Sequence, residues 1–120
     1  LLADDELALR YLISETLEDE GYTLIEVEDG DEAVEQLKLR TFDLIILDYM
    51  MPGLTGIEVC EWIRRDGGSN ADKPVLLLTA KTSMKDRERA AEVGVTQYMM
   101  KPFSPTLLVE IVKQYLPRKD

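Results

Sequence analysis

The sequence has no histidine and a single cysteine, Cys60, in 120 residues. Without histidine there is no Ser-His-Asp or Cys-His nucleophile, no His-ligated zinc and no phosphohistidine carrier. One cysteine forms no internal disulfide, which fits a reducing compartment. No apolar run approaches the roughly 20 residues of a membrane span. No basic segment followed by an apolar one reads as a secretory leader. Basic residues are also short: 14 Lys and Arg against 24 Asp and Glu leave a net charge of -10. That sign repels phosphate backbones, so direct nucleic-acid binding by this segment is not expected. Cations and basic partner surfaces are favoured instead. The length is that of one domain, enough to bury roughly two thirds of the surface its unfolded chain exposes. The chain starts at Leu1 rather than methionine, which reads as a processed or excised piece.

What is present is alternation. Leu1-Leu2-Ala3 is a strand stub, and the spacing predicts a helix over Asp4–Glu20 with Leu9, Leu12, Ile13, Thr16 and Leu17 on one face. Gly21 stops it. A strand follows at Leu24–Val27, then a helix at Asp31–Leu39 entered through Asp29-Gly30. Leu44-Ile45-Ile46-Leu47 is apolar on both faces, as a central parallel strand should be. Met51-Pro52-Gly53 breaks the chain before a helix at Ile57–Arg65 and a loop at Gly67–Asn70. Val75–Leu78 is a second all-apolar strand, followed by a helix at Asp86–Val93 closed by Gly94. Gln97–Met100 is the last strand and Pro105–Leu116 the last helix, with Ser104 as N-cap. Five strands alternating with five helices predict an α/β fold, a doubly wound parallel sheet covered on both faces.

Such sheets bind ligands at the carboxyl ends of their strands. The residues there are Asp4 and Asp5 after the first strand, Asp48 after the third, Thr79 and Ala80 after the fourth, and Lys101 and Pro102 after the fifth. Clustered carboxylates repel, so a hard cation is needed to hold them together. Mg²⁺ suits, because it takes one or two carboxylates and leaves positions for phosphate oxygens. A carboxylate can also attack phosphorus and become an aspartyl phosphate. A lysine, a hydroxyl and backbone N–H groups would share the charge of the transferring group. Singly, each residue has a simpler reading as a helix cap, a turn residue or a solvated side chain. Their joint occurrence at four strand ends favours a site. Cys60, Trp62 and the methionines Met50, Met51, Met99 and Met100 read as packing. Glu26-Val27-Glu28-Asp29 reads as a solvated strand end and turn.

With these residues at its strand ends, the chain resembles a response-regulator receiver domain of two-component signalling, similar to the chemotaxis receivers. The pieces that match are Leu1 to Glu6, Asp43 to Gly53, Gly56, Leu78-Thr79-Ala80 and Tyr98 to Phe103. The resemblance covers essentially all of residues 1–120, with a first strand shorter than the family's. It implies a flavodoxin-like strand order of 2-1-3-4-5 and a cytoplasmic phosphoprotein. It implies Asp48 as phosphoacceptor, with Asp5, Asp48 and the Met50 backbone carbonyl on Mg²⁺ and Asp4 acting through a metal-bound water. Lys101 and Thr79 would contact the phosphoryl group, helped by the N–H groups of Met50 and Ala80. Tyr98 would be the switch aromatic that turns inward when Thr79 moves. Met50 and Lys81 stand at positions that influence phosphoryl lifetime. The Lys101–Pro102 bond is expected to be cis.

The implied partners are a sensor histidine kinase or histidine phosphotransfer protein upstream, and an effector or second receiver copy downstream. The implied chemistry is self-phosphorylation and autodephosphorylation, not turnover of an external substrate. The alternatives are a haloacid-dehalogenase-like phosphatase and a receiver-like contact module that is never phosphorylated. The phosphatase motif places a second Asp two residues after the nucleophile, where this chain has Met50.

Overall fold

Two runs without a polar face, at 44–47 and 75–78, must each be covered on both sides, and the fold is built around them. The computed structural model describes residues 1–80 and 83–116; Lys81 lies outside the described residues. The elements in chain order are β1 (Leu2–Ala3), α1 (Leu7–Asp19), β2 (Glu26–Val27), α2 (Gly30–Leu39), β3 (Ile45–Asp48), α3 (Gly56–Asp66), β4 (Val75–Thr79), α4 (Met84–Val93), β5 (Gln97–Met100) and α5 (Pro105–Tyr115). The five strands form one parallel sheet in the order β2-β1-β3-β4-β5.

Strand periodicity divides the core in two. Ile45, Leu47, Val75 and Leu77 point to one face, where Ala33 and Leu37 of α2, Val59, Cys60 and Ile63 of α3, and Ala90 and Val93 of α4 close over them. Ile46, Leu76 and Leu78 point to the other, under Ile13 and Leu17 of α1 and Leu108, Ile111 and Val112 of α5. Each of these large side chains contributes about 1.5–3 kcal/mol on burial.

Several boundaries differ from the expectation. α1 begins at Leu7, not Asp4, because the Asp4 N–H is spent on the Val27 carbonyl (3.1 Å) and the Asp4 carboxylate accepts from the Glu6 N–H (2.8 Å). Its buried stripe is Arg10, Ile13, Ser14 and Leu17, while Leu12 faces solvent. β2 shrinks to Glu26–Val27 because β1 offers it only two residues to pair with. α2 starts at Gly30, capped by the Asp29 carboxylate. α4 starts at Met84, capped by the Ser83 hydroxyl. The loop at 67–70 contains a 3₁₀ turn, Gly68–Asn70. Asn70 is fully buried there and joins three backbone groups, those of Leu37, Arg40 and Phe42. Cys60 is fully buried and Trp62 half-buried. Met51 and Met99 are core residues, but Met50 and Met100 are exposed, so the packing expectation fails for those two. Exposure follows from position: Met50 lies on the turn leaving β3, and Met100 is the last residue of an edge strand.

The chain leaving β3 must turn back sharply to enter α3. Gly53 supplies a positive φ of 74° in that turn, a region glycine enters freely. Gly56 then opens α3 directly against β3: its N–H donates to the Tyr49 carbonyl at 3.0 Å. A Cβ on Gly56 would collide with the Asp48 carbonyl oxygen. Only glycine lets the helix start this close to the strand end. The Lys101–Pro102 bond is cis, as expected.

Candidate functional site

Parallel pairing brings all strand exits to one edge of the sheet, and β1 and β3, where strand order reverses, are neighbours. Asp4 follows β1 and Asp48 ends β3. One carboxylate oxygen from each of Asp4, Asp5 and Asp48 lies within 4.8 Å of the other two. Asp4 and Asp48 are buried, whereas Asp5 faces solvent. Lys101 reaches in from the end of β5, its Nζ 2.9 Å from Asp48 Oδ1 and 3.9 Å from Asp4 Oδ2. Its backbone N–H donates to the Thr79 carbonyl at 2.9 Å, which fixes the exit of β5 beside that of β4. Thr79 is buried at the end of β4, one position beyond the Asp48–Leu78 pair of the ladder. The Met50 side chain points outward. The structure therefore brings Asp4, Asp5, Asp48 and Lys101 together and sets Thr79 at the end of the strand next to that of Asp48.

The electrostatics of the group are unbalanced. Burial pushes the Asp48 carboxyl above its ordinary 3.8, and the Lys101 ammonium only partly opposes that rise. Burial likewise raises Asp4, against the Glu6 N–H, with the Asp48 charge adding to the rise. Asp4 Oδ2 is buried and has no hydrogen-bond partner among the described residues. A buried carboxylate oxygen without a donor, next to two further carboxylates, is the donor set of a hard divalent cation. The residues present thus fit Mg²⁺.

This imbalance has a pH consequence. Both carboxyls hold their proton more tightly folded than unfolded. Their contribution to stability is complete below the unfolded value near 3.8 and is lost as pH rises through the raised folded values. In Mg²⁺-free urea titrations, wild type is expected to lose stability relative to Asp4→Asn as pH rises from about 4 toward 7. Saturating Mg²⁺ should flatten that difference, since the cation takes the place of the protons. A difference independent of pH and Mg²⁺ would contradict the electrostatic account.

Sequence reasoning missed two features nearby. The Tyr49 hydroxyl donates to Asp86 Oδ1 at 2.9 Å, which ties the residue after Asp48 to the first turn of α4. The acidic run at 26–29 is not simply solvated: Glu26 and Glu28 both face the buried Arg10. An arginine in the buried stripe of α1 was the available signal for the second. No pattern linked Tyr49 to Asp86, which are 37 residues apart. Tyr98, the candidate switch residue, is half-buried on β5. The Arg87 guanidinium lies 5.5 Å from its ring centroid. Its hydroxyl is buried without a hydrogen-bond partner among the described residues. A groove of about 470 Å³ between α4 and β5, lined by Arg87, Ala90, Val95, Tyr98 and Met100, opens beside it.

Comparison with known proteins agrees with this fold. The family model of the response regulator receiver domain matches residues 1–113. The transcriptional regulatory protein ResD of Bacillus subtilis is 43% identical over 118 residues, which cover 98% of this chain and 48% of ResD. The phosphate regulon transcriptional regulatory protein PhoB of Escherichia coli is 40% identical over 118 residues, covering 98% of this chain and 51% of PhoB. The chain thus spans about half the length of the curated relatives it matches. Among solved structures, chemotaxis response regulator CheY4 of Vibrio cholerae superposes with a TM-score of 0.88 at 33% identity, covering 95% of this chain and 94% of that one. The receiver domain of a Pseudomonas aeruginosa sensor histidine kinase superposes with a TM-score of 0.87 at 28% identity, over 98% of this chain and 95% of that one. That neighbour has a magnesium ion coordinated in its active site cleft.

Proposed function

The chain belongs to the response-regulator receiver domains, the phosphorylation-dependent switches of two-component signalling, and from that premise we propose how its own residues perform the switch. The observation that carries the proposal is the buried Asp48 carboxylate held 2.9 Å from Lys101 beside two further carboxylates. Asp48 is the phosphoacceptor. One of its carboxylate oxygens attacks phosphorus, the bond from phosphorus to the donor breaks, and the departing donor keeps that electron pair. Lys101 holds the nucleophile deprotonated and aimed before transfer, then follows the charge onto the phosphoryl oxygens. Thr79 donates its hydroxyl to one of those oxygens, and the N–H groups of Met50 and Ala80 donate to others. Asp5, Asp48 and the Met50 carbonyl would hold Mg²⁺, with Asp4 contributing through a water. When bound, the ion neutralises charge on the carboxylates and on the phosphoryl oxygens.

The domain is a phosphoacceptor and not a catalyst of another reaction. Loss of the phosphoryl group by its own hydrolysis belongs to the proposal. So do a histidine kinase or histidine phosphotransfer protein as donor, and an effector or second receiver copy as reader. The setting is cytoplasmic in the same reading; no described helix is long and apolar enough to cross a membrane. The phosphatase alternative is not favoured, since receivers match across the chain and Met50 occupies the place of the required general acid.

The reader face is that of α4, β5 and α5. Drawing the Thr79 hydroxyl toward a phosphoryl group vacates space behind β4 for the Tyr98 ring, whose hydroxyl has no hydrogen-bond partner among the described residues. The phosphorylated state is then a population shift between two packings. Intact mass spectrometry with acetyl phosphate tests the acceptor: one phosphoryl adduct with Mg²⁺ and none with EDTA. Beryllofluoride with Mg²⁺ tests the switch. Chemical shifts should move at Tyr98 and in α4 and α5 as well as around Asp48. Shifts confined to Asp48 and its neighbours would leave a contact module in place of a switch.

A further inference from the structure

A buried guanidinium is costly to desolvate and is retained where its donors are used. Arg10 lies in the buried stripe of α1, its side chain only 10% exposed. Nη1 donates to the backbone carbonyl of Asp4 at 2.8 Å. Nε lies 3.4 Å from Glu26 Oε1 and Nη2 lies 3.5 Å from Glu28 Oε1. Glu26 Oε2 lies 2.9 Å from the Ser14 hydroxyl, whose single proton it shares with Glu18 Oε1 at 2.7 Å. The guanidinium is thus fixed on one side by two carboxylates of the β2 region and on the other grips a single peptide.

That peptide joins Asp4 to Asp5. β1 is two residues long, so the sheet ladder holds the Asp4 N–H, through Val27, and then ends. Beyond it, the direction of the Asp4–Asp5 peptide sets where both carboxylates point. Arg10 is the side chain that the structure places on that peptide's oxygen.

We propose that Arg10 is a positioning residue for the divalent-cation site. It holds the Asp4–Asp5 peptide so that both carboxylates converge on Asp48. The inference rests on the reading of this cluster as a Mg²⁺ site. Arg10 touches neither the cation nor the phosphoryl group, so it acts on cation affinity and not on the transfer step.

The test is Arg10→Met, which keeps an unbranched stem for packing and removes every donor. Mg²⁺ binding is measured by titration calorimetry, with circular dichroism to show that the variant is folded. The expected result is a Kd for Mg²⁺ weakened about 10-fold. The rate of phosphorylation by acetyl phosphate at saturating Mg²⁺ should stay within about threefold of wild type. A purely structural arginine would lower the melting temperature and leave the Kd alone, and an unchanged Kd in folded Arg10→Met overturns the proposal. Should that variant fail to fold, Arg10→Lys is read by the same rule. It keeps the buried charge but cannot span three anchors, so a Kd weakened about threefold or more supports the proposal and a wild-type Kd overturns it. Wild type that binds no Mg²⁺ would instead overturn the cation reading beneath it, an outcome distinct from wild type and variant binding alike.

Discussion

Asp48→Asn will take no phosphoryl group from acetyl phosphate, a loss of roughly 100-fold or more in adduct formation, because a carboxamide is a poor nucleophile. The same variant will melt above wild type in Mg²⁺-free buffer. Burial already pushes the Asp48 carboxyl toward its neutral form against the pull of Lys101. A neutral isostere removes both the desolvation cost and the repulsion from Asp5. The two effects together are diagnostic, since a variant that merely damaged the fold would lose phosphorylation and melt lower. Mg²⁺ separates them further. At ten times its Kd a ligand of the folded state adds about 1.4 kcal/mol. Wild type should show that gain in thermal melts, and Asp48→Asn, with one ligand weakened, should show less than about half of it.

Lys101→Met will slow phosphorylation by about 10²–10³-fold, the usual cost of removing one charged donor from a developing anionic transition state. The variant should bind Mg²⁺ at least as tightly as wild type, because the three carboxylates remain and their internal counter-charge is gone. That divergence is the informative part: affinity holds or rises while the transfer rate collapses. Stability falls at neutral pH by about 1–3 kcal/mol, because a buried carboxylate loses its partner. The deficit shrinks as pH falls, since protonated Asp48 no longer needs the ammonium. Stopped-flow phosphorylation at saturating Mg²⁺, paired with titration calorimetry, checks both halves. A rate within tenfold of wild type would remove Lys101 from the transfer step.

Most of the fold was legible because the strongest signals are the least ambiguous. The runs at 44–47 and 75–78 have no polar side, so their place in the middle of a covered sheet follows from hydrophobicity alone. The helices followed from spacing and from Gly94, Ser104 and Pro105. The errors sit where side chains compete with the backbone for hydrogen bonds. Asp4 looks like the start of a helix, but its carboxylate takes the Glu6 N–H and postpones the helix to Leu7. Leu12 fits an apolar stripe, yet the buried stripe runs through Arg10 and Ser14, whose polar groups are satisfied by Asp4, Glu18, Glu26 and Glu28. A pattern that treats polar residues as surface residues places such a helix at the wrong rotation.

The candidate site was legible because parallel topology turns sequence position into spatial position. Every residue just after a strand arrives at the same edge, so Asp4, Asp5, Asp48, Thr79 and Lys101 could be gathered on paper. What could not be gathered were contacts made by residues off the strand ends. Tyr49 with Asp86, and Arg10 with the Asp4 carbonyl, depend on side-chain reach and on the rotation of α1 and α4, which no strand count supplies.

Where the phosphoryl group lands decides the account. Wild type is incubated with acetyl phosphate and Mg²⁺, then treated with borohydride, which reduces an aspartyl phosphate to homoserine, and its peptides are fragmented in a mass spectrometer. Homoserine at position 48 and at no other aspartate is the predicted result. Homoserine at position 4 or 5, or none from protein that carried an adduct, would contradict it.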